Sequence, residues 1–347
     1  MGLMCCRNSR LGLAHSVSVR SAAAAAAASK RPESKPEMEE RISVPEMYSI
    51  VEHISEGMEN EELHAKALQL WRSDRCHEAL ALYDKLLELE LKELGKDHPR
   101  YINTNENRAH IMHVIGRHQE ALDIFEDVIM ARTLLLGRDH SDTIAAKLSL
   151  AALLERMARQ SEALLAYDDA LNCAERSALP QQAESALRGR ARLLYEMGRY
   201  GEALYATDEL LFLIEASQYP HDEQDVLTLW RNRAQCLQYT GRQDEAIITY
   251  REVLRMQETL MGIDHRDTLA TAHSLAVLLD LTGARVEANK LYEGLLVAWR
   301  AQVTELSGTL GDRHPRTLQA KSCLASVLQS SSVGDVALVR SQDDFTY

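Results

Sequence analysis

Acid–base and metal chemistry requires carboxylates, imidazoles or thiols gathered at one point, and this chain offers several candidates. Asp and His stand side by side at Asp97-His98, Asp139-His140 and Asp264-His265, with Asp312 and His314 two apart. A neighbouring carboxylate and imidazole can ligate a metal or move a proton. Each occurrence recurs in the same setting, behind a glycine and ahead of a helix-like run, and far in sequence from the next. A catalytic constellation occurs once, whereas a structural device recurs. The pairs therefore read as capping and turn residues. His110 and His113 share one helical stretch but lack the i, i+4 spacing of a helical metal pair. They read as surface or groove histidines.

The six cysteines, Cys5, Cys6, Cys76, Cys173, Cys236 and Cys323, form no CxxC. The last four lie far apart within helical patterns and read as free thiols, buried or half-buried, in a reducing compartment. No phosphate-cradling glycine loop or nucleophile elbow is present, and no Ser or Cys has a local companion that would activate it. The expectation is a chain with no catalytic residues, no metal and no cofactor. A net charge of −13 opposes broad nucleic-acid binding, which needs a basic surface to replace phosphate counterions. No stretch approaches the ~20 apolar residues of a spanning helix.

The elements that must carry these residues repeat. A Glu-Ala pair recurs at Glu78-Ala79, Glu120-Ala121, Glu162-Ala163, Glu202-Ala203, Glu245-Ala246 and Glu287-Ala288, every 40 to 43 residues. Three residues before the Glu stand Arg75, Arg117, Arg159, Arg199 and Arg242, with Ala284 departing; one earlier come Gly116, Gly198, Gly241 and Gly283, with Asp74 and Ala158 departing. Four residues after the Ala is a ring, Tyr83, Phe125, Tyr167, Tyr250 or Tyr292, with Thr207 departing. Twelve residues before it is a second small residue: Ala67, Ala109, Ala151, Ala191, Ala234 or Ala276. Gly closes a helix in the left-handed conformation. The alanines let two antiparallel helices approach, and a ring one turn on fills the space beside them. Each unit is thus a helical hairpin whose apolar face needs a neighbour. Between hairpins runs Leu94-Gly95-Lys96-Asp97-His98-Pro99 and its relatives, where Gly ends one helix, Asp or His caps the next and Pro suits its first turn.

This pattern, Leu-Gly-x-Asp-His-Pro, then x-Ala, then Gly-Arg-x-x-Glu-Ala and an aromatic, resembles the 42-residue tetratricopeptide repeats of the kinesin light chain and nephrocystin type. The resemblance covers residues 59–329 and implies an all-α, right-handed superhelical solenoid of six antiparallel hairpins plus a capping helix from Pro315 to Gln329. HEAT or armadillo repeats have a similar period, but the alanine–aromatic register fits them poorly. The resemblance further implies a concave groove lined by the first helix of each hairpin, at positions three before and one after its small residue. Those positions are His64 and Leu68, Glu106 and His110, Leu148 and Ala152, Arg188 and Arg192, Arg231 and Gln235, and His273 and Val277. The light-chain pattern has Asn beside the first position; Asn107 and Asn232 match, while Ser149, Gly189, Ser274 and Cys323 do not. No heptad coiled coil precedes the repeats. Candidate groove residues are therefore Arg188, Arg192, Arg231, Gln235, Asn107, Asn232, His110 and His273.

Two readings of the arginines stay open. Arg188 and Arg192 are one turn apart and Arg231 belongs to the next hairpin, so their guanidiniums could converge on an acidic or carboxylate-terminated peptide through bidentate hydrogen bonds. Alternatively they pair with neighbouring acids, of which Glu184, Glu196 and Asp225 are at hand. The functional expectation is a scaffold or adaptor that binds a protein or peptide partner and no nucleic acid. The alternative is a domain sensing a ligand or signal peptide on the same fold.

The ends differ in composition. Residues 1–31 carry Arg7, Arg10, Arg20, Lys30 and Arg31, an alanine run and no acid, the composition of an organelle transit peptide. Mitochondrial tetratricopeptide assembly factors have similar architecture. An unstructured leader in a cytoplasmic protein, or one acylated at Gly2, Cys5 and Cys6, are the other readings. Residues 32–58 read as a linker with a short helix, and 330–347, Ser- and Asp-rich, as a disordered tail.

Overall fold

The computed structural model describes residues 59–217 and 219–342, with side chains to Ser331. The expectations for the leader and for the whole linker lie outside the described residues, as does the end of the tail. The described residues form thirteen α-helices and no strand. Seven odd-numbered helices alternate with six even-numbered ones. The first hairpins are α1 (Asn60–Arg72) with α2 (Cys76–Glu93), α3 (Pro99–Val114) with α4 (His118–Leu136), and α5 (Ser141–Arg156) with α6 (Gln160–Arg176). The next are α7 (Pro180–Glu196) with α8 (Tyr200–Ala216), α9 (Glu223–Tyr239) with α10 (Gln243–Met261), and α11 (Arg266–Leu281) with α12 (Arg285–Leu310). The last helix is α13 (Pro315–Gln342). Each helix packs on the next in sequence, and α5 also touches α7, the nearest-neighbour arrangement of a repeat array.

Within a hairpin the chain turns through one left-handed residue. Gly116, Gly198, Gly241 and Gly283 have φ of 74° to 88°, and Asp74 and Ala158 take the same turn at 67° and 57° without being glycine. The turn closes backbone hydrogen bonds such as Arg117 N to Met112 O at 2.8 Å, satisfying carbonyls that the helix end leaves open. The arginine that follows holds the N-cap position of the even helix without a side-chain cap hydrogen bond and turns instead to that helix's first turn. In Arg159, Arg199 and Arg242 both Nε and a terminal nitrogen donate to the carboxylate three residues on, Glu162, Glu202 and Glu245, at 2.6 to 2.7 Å. The recurrent Arg-x-x-Glu is therefore a first-turn clamp.

At the junctions where Asp precedes His the histidine is the cap, whereas before α9 it is Asp222, whose Oδ1 accepts the Gln224 N–H at 2.9 Å. Nδ1 of His98, His140, His265 and His314 each accepts a backbone N–H two residues on at 3.2 Å. The aspartate is left for other work: Asp139 receives Arg176 of α6 at 2.6 Å, and Asp312, two before His314, receives Lys321 of α13 at 2.8 Å. Both residue types of the tempting Asp-His pair thus have separate structural work.

The alanine–ring pairs are the core. Tyr83, Phe125, Tyr167, Tyr250 and Tyr292 are buried with the alanines four before them. Where Thr207 replaces the ring, its hydroxyl turns back onto the Ala203 carbonyl at 2.7 Å. At the far end the helix placed over 315–329 continues to Gln342, through residues read as a disordered tail. Ser330, Ser331, Ser332 and Gly334 are weak helix formers, but no proline follows to forbid the extension.

Candidate functional site

The candidate residues lie on the odd-numbered helices, and a regular contact joins those helices into one band. At two steps the residue four after the small residue of one odd helix meets the residue one after the small residue of the next. Trp71 of α1 stacks on His110 of α3, ring centroids 6.3 Å apart, and Glu155 of α5 takes Arg192 of α7. One turn earlier, Asn107 of α3, two before its small residue, reaches His64 of α1, three before its own, at 3.2 Å.

At the N-terminal end the band is imidazole-rich and desolvated. His110 sits edge-on to Phe125 at 5.0 Å as well as against Trp71. Burial, with Arg132 nearby, pushes its pKa down to about 4, so the ring is neutral at pH 7. His113 is likewise pushed to about 4, first by burial and then by His118 beside it, Arg156 and His110. Glu106, one turn before His110, is held bidentately by the buried Arg132 at 2.7 and 2.8 Å. Burial raises its pKa and Arg132 opposes the rise.

In the middle of the band the three arginines do not converge. Arg188 donates to Glu184 on its own helix at 2.9 Å. Arg192 turns back to Glu155 of the preceding hairpin at 2.5 and 2.9 Å. Arg231 turns forward, its nearest terminal nitrogen 3.8 Å from Asp267 of α11, and its buried Nε has no hydrogen-bond partner. Glu184 is among the acids the sequence offered; Glu196 and Asp225 are not the ones used. The half-buried Asn232 and Gln235 flank Arg231 on α9. His273, on α11, is next to the Ser330 hydroxyl at 3.3 Å and the Tyr292 ring, and burial lowers its pKa.

Several residues of the band escaped sequence reasoning. Glu155 lies under Arg192 and accepts the Tyr167 hydroxyl at 3.2 Å. Tyr195, Tyr200 and Tyr239 form an aromatic cluster in which Tyr200 and Tyr239 stack at 4.4 Å. Trp71, Glu155 and Tyr195 all stand four residues after a small residue. The 3.6-residue helical period places that position on the same face as the two that were tracked, so the signal was present.

The profile described as Tetratricopeptide repeat matches residues 61–133, 101–176 and 225–295, together more than half of the chain. The chain belongs to the tetratricopeptide repeat family. No curated protein matches it in sequence. Among solved structures it is similar to BtubC (BKLC) from P. vanneervenii, 17% identical over 63% of this chain and 84% of that one, with a TM-score of 0.52. It is also similar to the apo form of RapI, 12% identical over 79% of this chain and 97% of that one, TM-score 0.52. A putative kinesin light chain with nearly identical repeats from Podosopora anserina is 18% identical over 70% of this chain and 95% of that one, TM-score 0.35. At these identities the first two likenesses speak for the fold. Among the described residues no three His, Cys, Asp or Glu gather as a metal site, and no helix is long and apolar enough to cross a membrane.

Proposed function

We propose that this tetratricopeptide repeat protein is a non-catalytic scaffold that takes an extended, acidic segment of a partner protein along the band of odd-numbered helices. The observation that carries the reading is the state of the arginines at mid-array. Arg188 and Arg192 are engaged but half exposed, and exposed ion pairs contribute little stability, roughly 0–1 kcal/mol. A partner carboxylate can exchange with Glu184 at small cost. Arg231 adds an Nε that no acceptor satisfies, and an unpaired buried donor favours any ligand that supplies one. The basic leader adds an organellar setting to the proposal, as an adaptor or assembly factor.

The test is a comparison of partners captured from cells by the full chain and by the Arg188→Ala, Arg231→Ala double variant. Loss of a reproducible subset, with the fold intact by circular dichroism, supports the reading. An unchanged set would leave these arginines as structural ion pairs only.

A further inference from the structure

Each hairpin follows one burial rule, and the last odd-numbered helix keeps half of it. In the six complete hairpins the small residue of the odd helix is buried: Ala67, Ala109, Ala151, Ala191, Ala234 and Ala276. The residue three later is buried with it, as in Met112, Leu194 and Leu279, and so is the residue seven before in Ile102, Ile144 and Leu269. In α13 that register falls on Ala325, Leu328 and Leu318. All three are exposed, Leu318 by 53% and Leu328 by 42%. Yet Thr317, Ala320 and Val327 of α13 are buried against the preceding hairpin, as their register equivalents Thr268, Thr271 and Leu278 are in α11. One side of α13 is packed and the side that an even helix would cover is open among the described residues.

The chain itself states what fits such a side. Five even helices lay an alanine and, four residues later, a ring on it: Ala79 with Tyr83, Ala121 with Phe125, Ala163 with Tyr167, Ala246 with Tyr250, and Ala288 with Tyr292. Charge narrows the occupant further. Residues 315–331 hold Arg316 and Lys321 and no Asp or Glu. Lys321 stands four before the small residue, the place of Lys147 in α5, whose Nζ is 2.7 Å from Asp169 of α6. Asp169 lies two residues after the ring Tyr167. Lys321 now turns to Asp312 of the adjoining loop.

We propose that the open side of α13 is a docking surface for a helix of another protein, an acidic amphipathic helix bearing a small residue, a ring four residues later and a carboxylate two residues beyond the ring. The helix completes a seventh hairpin in trans, burying Ala325 and Leu328 against its small residue and ring and Leu318 against its later turns, as Ile144 packs on Ala170, Cys173 and Ala174, and pairing its carboxylate with Lys321. This surface is separate from the arginine band, and neither reading depends on the other.

The probe is a fluorescein-labelled peptide with the chain's own α6 sequence, Gln160–Arg176, which carries Ala163, Tyr167 and Asp169. Titrated with the full chain, its anisotropy rises to saturation. Ala325→Arg, a change at an exposed position, weakens binding at least about tenfold because the side chain fills the gap the alanine leaves. Leu328→Glu does the same, and a peptide with Tyr167→Ala loses affinity for the wild-type chain. No saturable binding, or binding indifferent to Ala325→Arg, would overturn the proposal. So would a sedimentation result in which the chain is a dimer that Ala325→Arg dissolves, since a second copy would then be what covers α13.

Discussion

Gly189 shows how one residue can set the chemistry of its neighbours. It occupies the register of Asn107 and Asn232, and a Cβ built there would come within 2.3 Å of the Tyr167 ring. The missing side chain lets Tyr167 lie against α7, where its hydroxyl reaches Glu155 and Glu155 in turn holds Arg192. Burial raises the pKa of Glu155 and Arg192 pulls it back, so the pair's charge state depends on that packing. Substituting Ala for Gly in a helix ordinarily stabilises by about 1 kcal/mol. Here overpacking of a buried ring costs roughly 1–3 kcal/mol, which outweighs the gain in propensity. Gly189→Ala is expected to lower the midpoint of chemical denaturation despite its better helix propensity. A raised midpoint would show that Tyr167 yields without cost.

At the scale of elements, the tight turn within each hairpin is imposed by packing and merely made easy by glycine. Ala158 adopts φ of 57° between α5 and α6, a region that costs an L-residue about 1–2 kcal/mol. Glycine there relieves the strain and loses a few tenths to 1 kcal/mol to unfolded-chain entropy. Ala158→Gly is therefore expected to stabilise by about 0.5–1 kcal/mol, read as a higher thermal midpoint; destabilisation would mean that its Cβ makes a contact of value. The same reasoning explains what was legible. Helix ends were visible because Gly, His and Pro recur at them, and the exceptions Asp74 and Ala158 still turn because the alanine–ring register on both sides leaves no other path. That His rather than Asp caps the junctions where Asp precedes His was not visible, since both residue types cap helices and only geometry separates them; Asp222 does cap α9. The partners of Arg192 and Arg231 were hidden for a related reason: Glu155 and Asp267 lie 37 and 36 residues away, and which carboxylate is in reach depends on the rotation of one hairpin against the next.

Over the whole array, the histidines whose titration is displaced are unevenly spread. His64, His110 and His113, all with lowered pKa, lie on α1 and α3, while His273 alone represents them near the other end. A histidine kept neutral by burial has a folded pKa below its unfolded value of about 6.5. The unfolded chain then binds the proton first, and the stability so contributed is complete above about pH 6.5 and declines as the pH falls toward about 4. Glu106, raised by burial, has the opposite sign and offsets part of the loss. With His110 pushed to about 4, that loss is roughly 2 kcal/mol at pH 5 for this residue alone, and the part-exposed His113 adds a smaller share. In a repeat array each hairpin leans only on its neighbours, so such a local loss need not unfold the rest. Hydrogen exchange followed by mass spectrometry, corrected for the intrinsic effect of pH, is expected to show α1–α4 losing protection between pH 7 and pH 5 while α7–α10 keep theirs. Uniform loss along the chain would mean that the array opens as one cooperative unit, and unchanged protection in α1–α4 that the imidazoles take up protons in the folded chain as readily as in the unfolded one.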